Sequence, residues 1–125
     1  MTLTILDSNV LIDALRNRQP ALTFLQGAAE SGALWSSVVV RTELWVGSLA
    51  DEEERIDRLI DQILWLQVTP SIADQAGRLG APYRRTHRIG AVDLIIAATA
   101  IELGGVVATL NVRDFPMFPG LQPPY

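Results

Sequence analysis

The chain has no cysteine, no lysine and a single histidine. Without cysteine there are no disulfides, thiolate zinc sites, iron–sulfur clusters or thiol nucleophiles. Without lysine a P-loop cannot be built, and no Gly-rich Lys-Ser/Thr loop exists. The phosphoaspartate enzymes that pair a strand-end aspartate with magnesium normally also use a lysine. They are disfavoured further because Asn9 stands where an Asp-x-Asp pair would need its second aspartate. His87, alone of its type, reads as a surface or packing residue rather than a general base. No uncharged apolar stretch reaches the ~18 residues of a membrane span. The longest apolar run, Ala91 to Ile101, is interrupted by Asp93. Met1-Thr2-Leu3-Thr4 has no basic residue ahead of its apolar run, unlike a secretory leader. A soluble, cytoplasmic chain without membrane contact is expected.

What remains is one domain over residues 1–125, with 49% hydrophobic residues to form a core. All ten basic residues are arginine, and the net charge is −4. A negative balance is unexpected for a nucleic-acid partner, but its distribution matters. Six acids crowd Asp51 to Asp61, offset only by Arg55 and Arg58, and the remaining eight acids face eight arginines.

The pattern alternates strands and helices. A strand is expected over 2–6, then a helix over 10–17 with Ser8 or Asn9 as its cap. Pro20 suits the first turn of a second helix carrying Leu22, Leu25 and Ala29, stopped by Ser31-Gly32. Residues 34–36 read as a strand, and Ser37 caps a helix over 38–49. Residues 52–66 read as an amphipathic helix with the stripe Ile56, Leu59, Ile60, Ile63 and Leu64. On its other face Asp51/Arg55 and Glu54/Arg58 are spaced as ion pairs. A brief strand over 66–68, a helix over 72–86 interrupted by Pro82, and an apolar helix over 92–103 closed by Gly104-Gly105 follow. Residues 106–110 form a strand, and Leu121-Gln122 is a candidate last edge strand. Such alternation predicts an α/β fold with a parallel sheet covered on both faces, and ligands beyond the carboxyl ends of the strands.

Four acids stand out against this frame. Asp7 ends the apolar run Leu3-Thr4-Ile5-Leu6. Asp114 follows the strand of residues 106–110. Glu43 and Asp93 lie within strongly apolar helical segments. Taken singly, Asp7 reads as a cap, Asp93 as a helix-dipole partner and Asp114 as a turn residue. Glu43 shares its helical stripe with Val39, Val40, Val46 and Gly47, so it needs a partner or a raised pKa. Arg41 cannot supply one across i,i+2, which leaves a distant arginine or a cation. Taken together, converging carboxylates repel one another and are costly to desolvate. A hard divalent ion is the simplest remedy, and metal-dependent phosphate chemistry the reaction it suggests. Arg84, Arg85, His87 and Arg88 form a basic cluster that reads either as a solvated helix end or as a phosphate contact. Trp35, Trp45 and Trp65 read as core or interface packing rather than base-stacking platforms.

Four segments in order carry a family resemblance: Ile5 to Ile12, Arg41-Thr42-Glu43-Leu44, Val92 to Ala100, and Thr109 to Phe115. With them the chain resembles the PIN domain, and within it the VapC-like ribonuclease toxins of toxin–antitoxin pairs. The resemblance implies a single PIN-like domain, with a parallel five-stranded sheet of order 3-2-1-4-5. It implies an acidic pocket for Mg²⁺ or Mn²⁺ in which Asp7, Glu43, Asp93 and Asp114 are catalytic. Asp7, Asp93 and Asp114 would ligate the metal. Asn9, Thr109 and Asn111, with Arg84, Arg85 and Arg88, are counted as substrate-binding. Many relatives carry a basic or polar residue where this chain has Leu110. The resemblance further implies an RNA substrate, a cognate antitoxin that blocks the pocket, and a homodimer. The alternative is a catalytically silent PIN-like scaffold that binds RNA or protein; the retained acids argue against it.

Overall fold

The computed structural model describes residues 3–125. Its elements run β1 (Thr4–Leu6), α1 (Ser8–Leu15), α2 (Gln19–Ser31), β2 (Leu34–Ser37), α3 (Val38–Val46), α4 (Glu53–Asp61), β3 (Ile63–Leu66), α5 (Pro70–Gly80), α6 (Ala91–Glu102) and β4 (Val106–Ala108). Short 3-10 turns cover Ala81–Tyr83 and Val112–Asp114. The four strands are parallel, in the order β3-β2-β1-β4. Ile5 on the central β1 lies opposite Trp35 on one side and Val107 on the other.

Helices cover the sheet and enclose one main core. Ile5, Leu6, Val10, Leu11, Val40, Leu44, Ile56, Ile96 and Phe115 are almost wholly buried in it. α6 is apolar nearly all round, and Ile96 to Ala100 are all buried. Its alanines Ala97, Ala98 and Ala100 let it approach both the sheet and α5 closely. Burying a large aliphatic side chain is worth about 1.5–3 kcal/mol, so this helix is held by packing.

The observed order matches the first four places of the expected 3-2-1-4-5 sheet. Leu121-Gln122 forms no strand, and the described residues hold no fifth one. Pro116, Pro119, Pro123 and Pro124 deprive the tail of the amide donors a ladder needs. The tail packs Met117, Phe118 and Leu121 against the core instead. The start of the expected first strand, at residue 2, lies outside the described residues.

Several boundaries move for identifiable reasons. The helix expected over 52–66 ends at Asp61, and Ile63–Leu66 pairs with β2 from Leu34 to Ser37. Ile63 and Leu64 fit a helical stripe and a strand equally, and pairing to β2 decides. The strand expected over 66–68 is therefore β3, three residues earlier. α3 stops at Val46, which is 82% exposed and not on an inner stripe. α5 ends at Gly80, and Pro82 falls in the 3-10 turn that follows. The cap of α1 is Asp7, not Ser8 or Asn9; its Oδ1 accepts the Ser8 N–H at 2.8 Å.

The expected Asp51/Arg55 and Glu54/Arg58 pairs are not among the ion pairs of the described residues. Arg55 turns to Glu52 at 3.8 Å and donates to the Leu15 carbonyl at 2.9 Å. Glu52 is buried and accepts the Leu49 N–H at 2.8 Å. This arginine therefore ties α4 to the end of α1, its own side chain partly exposed and its partner Glu52 buried.

The approach of α6 to β4 is tight. Gly104 takes a φ of 65° just past the helix, where a left-handed residue closes the last turn. A Cβ on Gly105 would collide with the Leu3 backbone carbonyl. Gly105→Ala should lower stability by about 1–3 kcal/mol, read from the urea midpoint. Gly27→Ala, where a Cβ meets nothing within 4 Å in α2, should raise it by about 0.5–1 kcal/mol. Equal effects at the two positions would contradict the packing described.

Candidate active site

Each of the four acids reaches the site from a different element. Asp7 immediately follows the central β1, and Asp114 sits in the 3-10 turn beyond the neighbouring β4. Asp93 is in the first turn of α6. Glu43 projects from α3, which starts where β2 ends. The strand ends and the flanking helices thus bring together residues far apart in the chain.

Asp7 is 3% exposed. Its Oδ2 accepts the Thr109 hydroxyl at 2.8 Å and the Asn9 amide at 3.4 Å. Burial pushes its pKa up; the Thr109 and Ser8 hydrogen bonds pull against this, and the Asp114 charge adds to the rise. Glu43 is half-buried, and its Oε1 is buried with no hydrogen-bond partner. Burial raises its pKa, the Ser8 side chain beside it opposes the shift, and the Asp7 charge reinforces it. Asp93 is pushed from 3.8 to about 7, first by burial and then by the charges of Asp7, Asp114 and Glu43. Asp114 is half-buried.

The carboxylates thus act on one another through charge. Among the described residues the ion pairs are Arg18–Asp13 at 3.5 Å and Arg55–Glu52 at 3.8 Å, and neither involves the four. The distant arginine that Glu43 could have used is not found there. Nor do any three His, Cys, Asp or Glu side chains of the described residues form a ready-made metal cage. Asp7, Asp93 and Asp114 do not converge as a closed triad. A magnesium-like ion does not need a cage, since it keeps several waters and takes few protein ligands. An all-oxygen donor set, an orphaned buried carboxylate oxygen and a carboxyl driven to about 7 all fit a hard divalent cation.

The polar residues expected beside these acids are arranged unevenly. Asn9 and Thr109 hydrogen-bond to each other at 3.2 Å and both to Asp7. Asn111 joins them through its backbone N–H, while its side chain is not so engaged and the residue is exposed. Arg84, Arg85 and Arg88 are exposed in the loop before α6, and none pairs with an acid among the described residues. His87 is also exposed; its ring meets Tyr83 edge-on at 5.5 Å and its Nδ1 lies 2.9 Å from the Thr86 hydroxyl. That is a packing role. Trp35 packs on the core, and Trp65 donates to the Ile60 carbonyl at 3.0 Å while Arg41 stacks over its ring at 5.3 Å. Trp45 is 37% exposed.

Ser8 is the residue beside the acids that sequence reasoning read only as a helix cap. Its position next to Asp7 was the available signal, because a helix start at a strand end turns its first side chains toward the site.

The raised pKa values make a sign-definite prediction for the metal-free protein. Between about pH 4 and pH 7 an unfolded chain has lost the Asp93 proton while the folded chain retains it. The folded state binds more protons in that window, so stability falls as pH rises through it and levels off above the folded value. Asp7 and Glu43 act in the same direction. In the presence of a chelator, the melting temperature should be higher at about pH 5.5 than at about pH 8. Asp93→Asn should remove most of the difference. A melting temperature that drops on mild acidification would contradict the crowding.

Comparison with known proteins bears on the same arrangement. Residues 4–118 match the PIN domain. Ribonuclease VapC19 of Mycobacterium tuberculosis is 40% identical over 123 residues, covering 97% of this chain and 98% of that protein. Ribonuclease VapC10 of the same organism is 42% identical over 122 residues, covering 97% and 92%. A toxin–antitoxin complex from Klebsiella pneumoniae contains a similar chain, with a TM-score of 0.78, 26% identity, and 99% and 98% covered. The match across nearly the whole chain, together with a parallel sheet that leads strand-end acids to one edge, assigns this chain to the PIN domain family.

Proposed function

We propose that the chain is a Mg²⁺- or Mn²⁺-dependent endoribonuclease, a toxin of the VapC kind restrained by a cognate antitoxin. The observation that carries the reading is a set of charge-coupled carboxylates with no basic partner among the described residues, one of whose buried oxygens lacks any hydrogen bond. The ribonuclease relatives supply the reaction class, and the toxin–antitoxin neighbour supplies the partner. RNA is cytoplasmic, and the reading puts the enzyme there.

Asp7 and Asp93 would hold the ion, Asp114 would complete that site or a second one, and Glu43 would orient the attacking water. When bound, the ion neutralises charge on the scissile phosphate and acidifies the nearby water. The water oxygen forms a bond to phosphorus in line with the departing 3′ oxygen. The P–O3′ bond breaks, the departing 3′ oxygen takes a proton from solvent water, and the fragments carry 5′-phosphate and 3′-hydroxyl ends. Glu43 is suited to accept the water's proton, since burial and the Asp7 charge have already raised its basicity.

Arg84, Arg85 and Arg88 would meet the RNA backbone, and the side chain of Asn111 is free to do so as well. An antitoxin arginine placed among the acids would supply the cation that the toxin lacks. Trp45, Val46 and Leu49 expose apolar area suited to the antitoxin or to a second protomer of a homodimer.

Four outcomes test the reading. Purified protein incubated with total RNA should cut only with Mn²⁺ or Mg²⁺, and sequenced fragment ends should show 5′-phosphates. Loss of a residue that merely orients a metal ligand costs up to about a hundredfold in activity, so Asp7→Asn or Asp93→Asn should cost more. Full activity in either variant rejects its role. Metal at about a hundred times its Kd should stabilise the fold by about 2.7 kcal/mol. Arg85→Glu with Arg88→Glu should raise KM and flatten the salt dependence while kcat holds.

A further inference from the structure

Both ends of the Asn9 side-chain amide are engaged. Its Oδ1 accepts the Leu110 N–H at 3.1 Å. Its Nδ2 points to the Thr109 hydroxyl at 3.2 Å and to Asp7 Oδ2 at 3.4 Å. Turning the amide over would set an oxygen against the Asp7 carboxylate and an N–H against the Leu110 N–H. The orientation is therefore dictated by the partners.

Thr109 is equally committed. It is 0% exposed. Its hydroxyl accepts from Asn9 and from the Asn111 N–H at 3.0 Å. A hydroxyl has one hydrogen and two lone pairs. With both lone pairs taken, the single hydrogen goes to Asp7 Oδ2 at 2.8 Å.

These bonds run from the end of β1 to the segment after β4. Asp7 and Asn9 hold Thr109 and Leu110, and Thr109 in turn accepts the Asn111 N–H. The Asn111 carbonyl then accepts the Asp114 N–H at 3.0 Å, which starts the turn that carries Asp114. Asn9 and Thr109 thereby add side-chain ties to a junction where the Asp7 N–H already donates to the Ala108 carbonyl at 2.9 Å. Only the backbone of Leu110 enters the network. Any residue with a backbone N–H serves at that position, so a leucine there leaves the network intact.

We infer that Asn9 and Thr109 are positioning residues that latch the two strand ends together and aim Asp7 and Asp114 at the ion, and are not contacts to RNA. The inference rests on the nuclease reading for what the latch serves, but the latch itself exists in the metal-free protein. It deepens that reading by removing two residues from the substrate surface and leaving Asn111 and the arginines there.

The test has three readouts. Amide hydrogen exchange of Leu110 in metal-free protein reports the latch directly. Asn9→Ala should speed it by roughly fivefold, the loss of one neutral hydrogen bond. The Mn²⁺ concentration that gives half the thermal shift should rise by about ten- to a hundredfold, as for other residues behind a metal ligand. RNA affinity, measured by anisotropy with Asp93→Asn to prevent cleavage, should stay within about twofold, since no phosphate contact is lost. Thr109→Ser should keep wild-type metal affinity and Thr109→Val should lose it, which repeats the test through a second residue should the Asn9 variant not fold. Weaker RNA binding with an unchanged Mn²⁺ midpoint would make Asn9 a substrate contact and overturn the inference. Unchanged Leu110 exchange would overturn the latch. A wild type that neither gains stability from Mn²⁺ nor cuts RNA would instead remove the nuclease reading, and the Leu110 exchange would still decide the latch.

Discussion

Repulsion among carboxylates that no arginine neutralises is the constraint on which this molecule turns. Burial raises the cost of each charge at Asp7, Glu43 and Asp93, and each neighbour raises it again. A protein can meet that cost with protons, with a basic partner or with a metal ion. The described residues supply no basic partner, so protons serve in the metal-free state, and on the proposed function a divalent ion would serve in the working one. On the proposed function, an antitoxin arginine would be a third solution to the same electrostatic problem, and inhibition and metal binding would then be competing answers to one need.

The fold is arranged to hold these groups where they do not want to be. A parallel sheet sends every strand end to one edge, so residues after β1 and β4 arrive side by side. Asp7 contributes twice, as the cap of α1 and as an acceptor for Thr109. The helix that bears Asp93 is anchored by Ile96 to Ala100 in the core, so the acid cannot retreat into solvent without moving the packed helix. Phe115, buried next to Asp114 in sequence, pins the end of the second 3-10 turn in the same way. The hydrophobic core thus supplies the stability that the acidic edge gives up.

Much of this was legible in the residues. The apolar runs that end in Asp7 and precede Asp114 marked the sheet edge, and Ser37, Pro20 and Gly104 behaved as cap, first-turn and closing residues. Four strand positions followed from the family resemblance. The misreadings were local. Ile63 and Leu64 satisfy two periodicities, and only pairing with β2 separates them. Leu121-Gln122 has the hydrophobicity of a strand but lies among prolines. The spacing of Glu54 and Arg58 allowed an ion pair, while Arg55 found a better-buried partner in Glu52. Asn9 and Ser8 read alike as helix caps because their partners, Thr109 and Glu43, are distant in sequence. The way the Asn9 amide is engaged is a property of three dimensions alone.

Carbon-13 titration of the side-chain carboxyls tests the central claim most directly. In chelated protein, one carboxyl, that of Asp93, should titrate near 7. On addition of Mg²⁺ it should become ionised throughout the accessible range, because the ion replaces the proton. A spectrum in which the Asp93 carboxyl ionises below about pH 5 without metal would contradict the account.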